Sequence, residues 1–241
     1  PPEPLDDMFD VDNTAWSGRE EPAKAPEQQA WSGTEDFGGA EGAAGLHDNW
    51  DDPDGYYRVM LGEKLQQRYQ IFAILGRGIF ATVVRARDLQ QNGREVAIKI
   101  ARRQETMYKA GMKEISILQR LSEADPDNKM FIVHFFTHFE HRGHLCMVFE
   151  SLGLNLREIV KRFGKDVGLN LQAVKTYTKQ MLLALALLRE KQFVHADIKP
   201  DNILVNEAKT IAKLADFGSA STASEMEITP YLVSRFYRAP E

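Results

Sequence analysis

A glycine turn beginning at Gly76 has residue types that can hold a phosphate group. Tyr69 to Ile74 and Thr82 to Ala86 are predicted strands, and Gly76-Arg77-Gly78 lies between them. Because glycine has no side chain to keep a phosphate away from backbone N–H groups, such a turn can cradle phosphates. A plain hairpin turn is the competing interpretation, since Ala81 stands where a third glycine would strengthen the pattern.

Two polar segments further along the chain add groups that could carry out a reaction. They are His195-Ala196-Asp197-Ile198-Lys199-Pro200-Asp201-Asn202 and Ala215-Asp216-Phe217-Gly218. Asp197 and Asp216 are 19 residues apart, and the apolar Ile203-Leu204-Val205 between them predicts a short hairpin. Seven specified positions, at about one in 20 each, would match by chance at a given site on the order of once in a billion. We therefore expect the two segments to form one site.

Apolar periodicity predicts the elements that would position these groups. Glu95 to Ile100 alternates between apolar and charged residues, which predicts a strand with Lys99 on the face opposite Val96 and Ile98. Gly111 to Leu121 has apolar residues at spacings of three, which predicts a helix with Glu114 beside its apolar face. Taken alone, a strand lysine and a helix glutamate are most often solvated surface groups.

Later apolar patterns divide the chain into two parts. Leu145 to Phe149 is wholly apolar, as is typical of a buried strand, and Glu150-Ser151-Leu152-Gly153 then breaks it. Leu171 to Leu188 is predicted to be an amphipathic helix whose core face comprises Val174, Tyr177, Met181, Leu185 and Leu188. The change from strand-rich to helix-rich sequence near residue 153 predicts a boundary between two lobes.

The first part of the chain is acidic and poor in apolar periodicity. Residues 1–68 carry a net charge of −11, and the remaining residues carry +6. We predict that residues 1–48 form a disordered arm, because they offer too little apolar surface to offset the entropy of ordering. The arm contains Trp16 and Trp31, with Trp50 just beyond it, and Ala-Trp-Ser-Gly occurs at 15–18 and again at 30–33.

Two interpretations of the tryptophans remain open. They could be aromatic anchors with which the acidic arm docks a protein partner. The alternative is an inert solvated tail in which the four-residue match is a coincidence, since two short copies do not define a repeat architecture. Residues 49–68 differ from the arm, because Tyr56 and Tyr57 give them enough apolar surface to lie on the body as an extended strap.

Composition excludes several classes of protein. The longest wholly apolar run, Met181 to Leu188, has 8 residues, whereas a bilayer-spanning helix needs roughly 20, so no membrane association is expected. The single cysteine, Cys146, excludes an internal disulfide and a cysteine-rich zinc site, and fits a reducing compartment. A net charge of −5 argues against a generally basic nucleic-acid binder, so no direct nucleic-acid binding is expected.

Taken together, these segments resemble the eukaryotic protein kinases. The signature elements occur in kinase order over residues 69–241: the glycine turn, Val96-Ala97-Ile98-Lys99, Glu114, the two polar segments and Tyr237-Arg238-Ala239-Pro240-Glu241. Two further segments are similar to the CMGC group of kinases: Leu152-Gly153-Leu154-Asn155-Leu156 and Ser234-Arg235-Phe236-Tyr237-Arg238. Ile228-Thr229-Pro230-Tyr231 and the strap sequence NWDDPDGYYRV are similar to the spliceosome-associated pre-mRNA-processing kinases, relatives of the dual-specificity tyrosine-regulated kinases.

The resemblance implies an α+β, bilobal protein-kinase fold. Residues 69–152 would form the strand-rich N-lobe and the hinge, and residues 153–241 part of the helical C-lobe. The chain would end within the activation segment at Ala239-Pro240-Glu241, so the C-lobe is expected to be incomplete and the chain to be a fragment. His195 and Phe217 would pack with Leu118 to join the lobes.

The resemblance also implies a role for each site residue. Asp197 would accept or orient the proton of the attacking hydroxyl, and Lys199 would neutralise the transferring phosphoryl group. Asn202 and Asp216 would bind Mg²⁺, the expected metal cofactor. Lys99 would hold the α- and β-phosphates of ATP. The implied ATP-binding residues are Gly76, Gly78, Phe80, Val83, Ala97, Lys99, Glu114, Phe149 as gatekeeper, and the hinge residues Glu150 and Leu152.

Two residues depart from the common kinase pattern. Ala81 replaces a glycine of the turn and should weaken nucleotide affinity only modestly. Ala196 replaces the arginine that many kinases use to receive an activation-loop phosphate. We hypothesise that Tyr231 is phosphorylated and that Arg235 and Arg238 receive its phosphate. A packed, unmodified loop aromatic is the alternative for Tyr231.

The expected function is therefore that of a serine/threonine-protein kinase. The resemblance implies a nuclear location, splicing factors as protein substrates, and autophosphorylation on Tyr231. One alternative is a nucleotide-binding scaffold without catalysis. Another gives the main role to the acidic arm as an interaction module.

Overall fold

A computed structural model describes residues 50–165, 167–225 and 234–238. The predicted acidic arm, Tyr231 and Ala239-Pro240-Glu241 lie outside these residues. Within them, no helix is both long and apolar enough to cross a bilayer.

Six antiparallel strands form the main sheet, in the spatial order β1-β2-β3-β4-β6-β5. The strands are β1 (Lys64–Leu65), β2 (Tyr69–Arg77), β3 (Ala81–Asp88), β4 (Arg94–Ala101), β5 (Phe135–His141) and β6 (His144–Glu150). The glycine turn connects β2 to β3, with Gly76 opposite Val83. Each predicted strand of this region exists; β2 begins at Tyr69 as predicted and runs three residues further, and the other three extend by one or two residues at each end.

Both faces of the sheet are buried near its centre. On β6, Cys146 and Val148 belong to one apolar core, while Leu145, Met147 and Phe149 belong to the other. This alternation explains why the β6 sequence is wholly apolar, since a strand covered on both faces needs an apolar side chain at every position. On β4, Val96 and Ile98 point into the first core and Lys99 into the opposite side, as predicted.

One long helix packs against the sheet and a second dominates the following lobe. Helix α1 (Glu105–Ala124) buries Ile115, Leu118 and Leu121. Helix α2 (Leu156–Ile159) starts with a capping box at Asn155 and continues as a π-helical turn over Val160–Gly164. Helix α3 (Leu171–Glu190) follows, with the Asn170 side chain accepting from the backbone N–H of Ala173 at 2.7 Å.

The buried face of α3 is rotated from the predicted one. Val174 is 43 % exposed, so its assignment to the core was wrong. Tyr177 and Leu188 are buried as predicted, together with Ala173, Gln180, Ala184 and Leu187. Ala173 and Ala184 are fully buried, which the periodicity of the large apolar residues alone could not show.

Short strands and turns after α3 carry the polar segments. These elements are β7 (Phe193–Val194), a 3₁₀ turn (Pro200–Asn202), β8 (Ile203–Val205), β9 (Ala212–Leu214), β10 (Ser221–Thr222) and a 3₁₀ turn (Arg235–Tyr237). Strands β8 and β9 pair as the predicted hairpin. The strand-rich lobe followed by a helix-rich lobe confirms the predicted α+β protein-kinase fold class.

The first described part of the predicted strap, residues 50–62, crosses the outside of the sheet. Tyr57 is 4 % exposed and belongs to the same core as Cys146. The buried His144 ring joins the strap to β4, with Nδ1 2.8 Å from the carbonyl of Ala101 and Nε2 2.7 Å from Asp51 Oδ1. Each ring nitrogen of His144 therefore has an oxygen within hydrogen-bond distance, one on the body and one on the strap.

Candidate active site

Three charged side chains from distant parts of the sequence meet beside β4. Lys99 Nζ is 2.9 Å from both carboxylate oxygens of Glu114 and 2.9 Å from Asp216 Oδ1. The Glu114 side chain is only 5 % exposed, whereas that of Asp216 is 51 % exposed. The predicted residues Lys99, Glu114 and Asp216 therefore form one cluster, with a buried side and a side open to a ligand.

Local structure explains how each member reaches the cluster. The pleat of β4 turns Lys99 away from the core that holds Val96 and Ile98. Asp216 has φ of +61°, a left-handed conformation uncommon for a residue with a side chain. Gly218 packs directly beside the cluster, since a Cβ built there would lie 3.4 Å from Asp216 Oδ1 and 3.6 Å from Glu114 Oε2.

The electrostatics favour a charged lysine in this cluster. Burial works against the charged form of Lys99, but the carboxylates of Glu114 and Asp216 outweigh it and raise the pKa of the ammonium group. Burial also disfavours the charged form of Asp216 and by itself would raise its pKa, yet Lys99 holds the pKa of Asp216 below its usual value. Burial raises the pKa of Glu114, and Lys99 opposes this shift. With both Glu114 oxygens at 2.9 Å from Nζ, the geometry supports an ionised pair.

A second cluster forms around the carboxylate of Asp197. Lys199 Nζ donates to Asp197 Oδ2 at 2.7 Å, and Asn202 Nδ2 donates to the same oxygen at 3.0 Å. The hydroxyl of Ser234 donates to the other oxygen, Oδ1, at 2.8 Å. Sequence reasoning assigned no role to Ser234, because its contact with Asp197 joins residues 37 positions apart.

The backbone between the polar segments ties the two clusters together. Ala215 N–H donates to the carbonyl of Asn202 at 2.8 Å, and His195 Nε2 lies 3.1 Å from the carbonyl of Ala215. The other ring nitrogen of His195 accepts from the N–H of Asp197 at 3.3 Å, so the ring is neutral here. Burial lowers the pKa of His195, in agreement with that protonation state. His195 therefore acts in the structure as a buried connector.

The aromatic ring of Phe217 completes this connection. It lies edge-on to the His195 ring, with centroids 4.9 Å apart, and it shares one core with Leu118. This arrangement agrees with the expected packing between the lobes. Ala196 is buried with φ of +66°, so the site of the missing arginine is occupied by a small, left-handed residue.

Asn202 and Asp216 have the chemistry that suits the expected metal ion. The Nδ2 group of Asn202 donates to the carbonyl and the carboxylate of Asp197, which turns its Oδ1 away from Asp197. Asp216 presents a half-exposed carboxylate. In the described part of the chain no group of three or more His, Cys, Asp or Glu residues could hold a metal. Two oxygen donors nevertheless fit Mg²⁺, which is usually bound by one or two side chains plus phosphate and water.

The remaining expected ATP-binding residues line the sheet beside Lys99. Val83 is paired with Lys99 across β3 and β4, and Ala97 is paired with Phe149 across β4 and β6. Phe149 is 9 % exposed and lies edge-on to Phe135, with ring centroids 5.6 Å apart. The pairing with Ala97 puts Phe149 on the same face of the sheet as Lys99, where a gatekeeper is expected.

Some backbone N–H and C=O groups of the glycine turn and the hinge already form hydrogen bonds within the protein. Gly78 N–H donates to the carbonyl of Ala81 at 2.9 Å, and Phe80 is 61 % exposed at the tip of the turn. In the hinge, Glu150 N–H donates to the carbonyl of His134 at 3.0 Å. Arg85 Nη2 donates to the carbonyl of Leu152 at 3.0 Å.

The side chain of Glu150 has a role that sequence reasoning missed. Its Oε1 accepts from Lys213 Nζ and from the N–H of His134, both at 2.6 Å. Lys213 Nζ also reaches Asn128 Oδ1 at 3.0 Å. Lys213 stands on β9, three positions before Asp216, so a buried ion pair joins the hinge to the strand that leads to Asp216.

Replacing Lys213 with Met should lower the free energy of unfolding by about 3 kcal/mol, because the carboxylate of Glu150 would stay buried without its cation. The pair has side-chain exposures of 7 % and 18 %. Lys129→Met is the matched control, since Lys129 and Asp127 form a pair of similar length, 2.7 Å, at 75 % and 69 % exposure. An exposed pair contributes about 0–1 kcal/mol. Urea unfolding measures the free energy of unfolding of both variants. Equal losses in Lys213→Met and Lys129→Met would show that burial does not make the Lys213–Glu150 pair more important.

Comparison with known proteins places these clusters in context. Residues 69–241 match the family model described as the protein kinase domain. Serine/threonine-protein kinase prp4 of Schizosaccharomyces pombe is 58 % identical over 198 residues, which cover 82 % of this chain and 41 % of that protein. Serine/threonine-protein kinase prpf4B of Dictyostelium discoideum is 50 % identical over 198 residues, covering 81 % of this chain and 24 % of that protein.

A third relative has lower identity to this chain. The DYRK-family kinase pom1 of Schizosaccharomyces pombe is 40 % identical over 193 residues, covering 80 % of this chain and 18 % of that protein. The chain thus spans less than half the length of each of these curated relatives.

Proposed function

The chain belongs to the protein kinase family, in the CMGC group beside the prp4-like kinases, and from this premise we propose that it transfers the γ-phosphoryl group of ATP to Ser and Thr residues of proteins. One observation carries the proposal. Lys99, Asp216, Asn202 and Asp197 form two hydrogen-bonded clusters joined through the Asn202–Ala215 backbone contact. Such an arrangement supplies charge neutralisation and a proton acceptor beside one another, which is what phosphoryl transfer requires.

Lys99 and the glycine turn would hold the nucleotide. The ammonium group of Lys99 is fixed by Glu114 and would contact the α- and β-phosphates, with the N–H groups of the turn around them. Since Glu150 N–H and the Leu152 carbonyl are engaged within the protein, the adenine edge would use the carbonyl of Glu150 and the N–H of Leu152. Val83, Ala97 and Phe149 would contact the base.

Asn202 and Asp216 would hold Mg²⁺, which would neutralise negative charge on the phosphate groups. Asp197 would accept the proton of the attacking substrate hydroxyl. The hydroxyl oxygen would form a bond to the γ-phosphorus while the bond from the γ-phosphorus to the leaving ADP oxygen breaks. The Ser234 hydroxyl already donates to Asp197 at 2.8 Å, which supports this role because it shows that the carboxylate can accept an O–H. Lys199, 2.7 Å from the same carboxylate, would balance charge on the phosphoryl group.

Protein substrates associated with splicing and a nuclear location are the finer part of the proposal. Support comes from the resemblance of the strap and the Ile228–Ser234 segment to the pre-mRNA-processing kinases, together with the identity to prp4. Autophosphorylation on Tyr231, with Arg235 and Arg238 as receivers of the phosphate, is part of the same proposal. The complete set of polar site residues disfavours a nucleotide-binding scaffold that lacks catalysis.

Incubation with Mg-ATP and a mixture of Ser- and Thr-containing peptides tests the proposal. We expect mass spectrometry to find phosphate on peptide hydroxyls and on Tyr231, and none when EDTA replaces Mg²⁺. The Asp197→Asn variant is the matched control for contaminating kinases. Binding of Mg-ATP without phosphate on any peptide or on the chain would contradict the proposal and favour the scaffold.

A further inference from the structure

One side chain of the strap, that of Tyr56, reaches the glycine turn. Tyr56 stands 22 positions before Gly78, yet its hydroxyl lies 2.9 Å from the carbonyl of Gly78 and 2.8 Å from the carbonyl of Ile79. A phenol has one hydrogen to donate, so the two carbonyls share it. The residue is 9 % exposed, which shields this contact from water.

Two arginines lie against the ring of Tyr56. The guanidinium carbon of Arg77 lies 3.7 Å from the ring centroid, and that of Arg102 lies 4.6 Å from it. Arg102 also donates to the carbonyl of Asp54, through Nε at 3.0 Å and Nη2 at 2.5 Å. The hydroxyl therefore sits on a ring whose own position is fixed by cation–π contacts.

The strap around Tyr56 is anchored to the body at several points. Asp52 pairs with Arg77 at 2.6 Å, and the same carboxylate accepts the N–H of Tyr56 at 2.9 Å. Arg103 N–H donates to the carbonyl of Gly55 at 2.8 Å. These contacts fix the part of the strap just before Tyr56 to the start of the glycine turn and to the residues that follow β4.

The direction of the two carbonyls determines the direction of two N–H groups. In a trans peptide the C=O and the N–H point in opposite directions. The carbonyls of Gly78 and Ile79 face the strap, so the N–H groups of Ile79 and Phe80 face away from it. Among the hydrogen bonds of the described residues, neither N–H has a protein acceptor. Both are thus presented for an anion.

We infer that Tyr56 is a positioning residue for the phosphate groups of the nucleotide. By holding the carbonyls of Gly78 and Ile79 outward, the latter together with Arg102 Nη1 at 3.3 Å, its hydroxyl directs the N–H groups of Ile79 and Phe80 toward the phosphates. This inference rests on the proposed function, because it requires a nucleotide beneath the turn. It also gives the strap a part in the affinity for ATP, although the strap contributes no residue that touches the ligand.

Tyr56→Phe tests the inference, because it removes the hydroxyl and leaves the ring against Arg77 and Arg102. We expect affinity for Mg-ATP to fall about fivefold, the effect of one lost hydrogen bond, while affinity for adenosine, which has no phosphates, stays the same. Calorimetric titration with each probe measures the ratio of the two affinities. A merely structural role of Tyr56 would change both affinities or neither.

Tyr57→Phe is the matched control on the same strap. The hydroxyl of Tyr57 donates to Glu63 Oε2 at 2.8 Å and makes no contact with the glycine turn. We expect its removal to lower the thermal midpoint without changing the ratio of ATP to adenosine affinity. If Tyr56→Phe left both affinities unchanged, or lowered the affinities for Mg-ATP and adenosine by the same factor, the inference alone would be overturned. A parent chain that binds neither probe would overturn the proposed function, and the inference with it.

Discussion

Asp197→Asn is expected to slow phosphoryl transfer about 10³-fold while leaving the affinity for Mg-ATP nearly unchanged. The reason is that an amide cannot take up the substrate proton, and a positioned proton acceptor contributes about 10² to 10⁴ in rate. The fold should tolerate the change. The amide oxygen can face Lys199 and Asn202, which both donate to Oδ2, and the amide nitrogen can donate to the Ser234 hydroxyl. Single-turnover phosphorylation of a peptide and calorimetric titration with Mg-ATP measure the two quantities.

Asp201→Asn is the control from the same loop. Asp201 pairs with Arg157 at 2.7 Å and makes no hydrogen bond to Asp197 in the described residues. We expect this variant to retain the parent's rate within about threefold, since an exposed ion pair contributes little. If Asp197→Asn kept more than about a tenth of the parent's rate, Asp197 would not be the proton acceptor.

Lys99→Met is expected to reduce both activity and stability. Activity should fall by at least about 10²-fold, because the phosphates lose a cation fixed beside them. The free energy of unfolding should fall by about 3 kcal/mol, since the buried Glu114 would face Asp216 with no positive charge between them. Peptide phosphorylation and urea unfolding measure the two losses.

A second substitution separates the two effects of Lys99→Met. In Lys99→Met/Glu114→Gln one of the facing carboxylates becomes neutral, so we expect part of the lost stability to return while activity stays low. Recovery of activity in the double variant would show that Lys99 serves packing and not the nucleotide.

The pH dependence of Lys99→Met should differ from that of the parent. In the parent, Lys99 holds the pKa of Asp216 below 3.8, so Asp216 contributes stability above that pH and loses it as the pH falls through the folded pKa. Without Lys99, burial and Glu114 should raise the pKa of Asp216 above its unfolded value. The variant should then come closer to the parent's stability as the pH falls from about 8 to 5. A constant difference over this range would contradict the assignment.

Local periodicity was sufficient to predict the elements that carry the main site residues. The alternation in β4 correctly separated Lys99 from Val96 and Ile98, because a strand has a fixed period of two. The apolar spacing in α1 correctly placed Glu114 near a buried face. Its burial to 4 % exposure could not be read from that pattern, since a glutamate beside an apolar stripe is usually solvated.

Contacts between distant segments explain what the sequence could not reveal. Glu150 looks like a residue that ends a strand, and nothing nearby in the sequence indicates its buried partner Lys213, 63 positions away. Tyr56 was expected only to supply apolar surface to the strap, whereas its hydroxyl holds two carbonyls of the glycine turn. Such pairings depend on how the lobes fold against each other, and local patterns do not contain that information.

The single thiol of the chain is buried within the main sheet, on the strand next to the edge strand β5. Cys146 is 1 % exposed on β6, between β4 and β5, and burial raises its pKa. Thiol reagents attack the thiolate, so Cys146 can react only after the sheet opens. A dye that labels cysteine would therefore attach once per molecule, at a rate set by opening of the sheet. The native sequence thus carries its own reporter of unfolding, and no engineered label is needed to follow the variants.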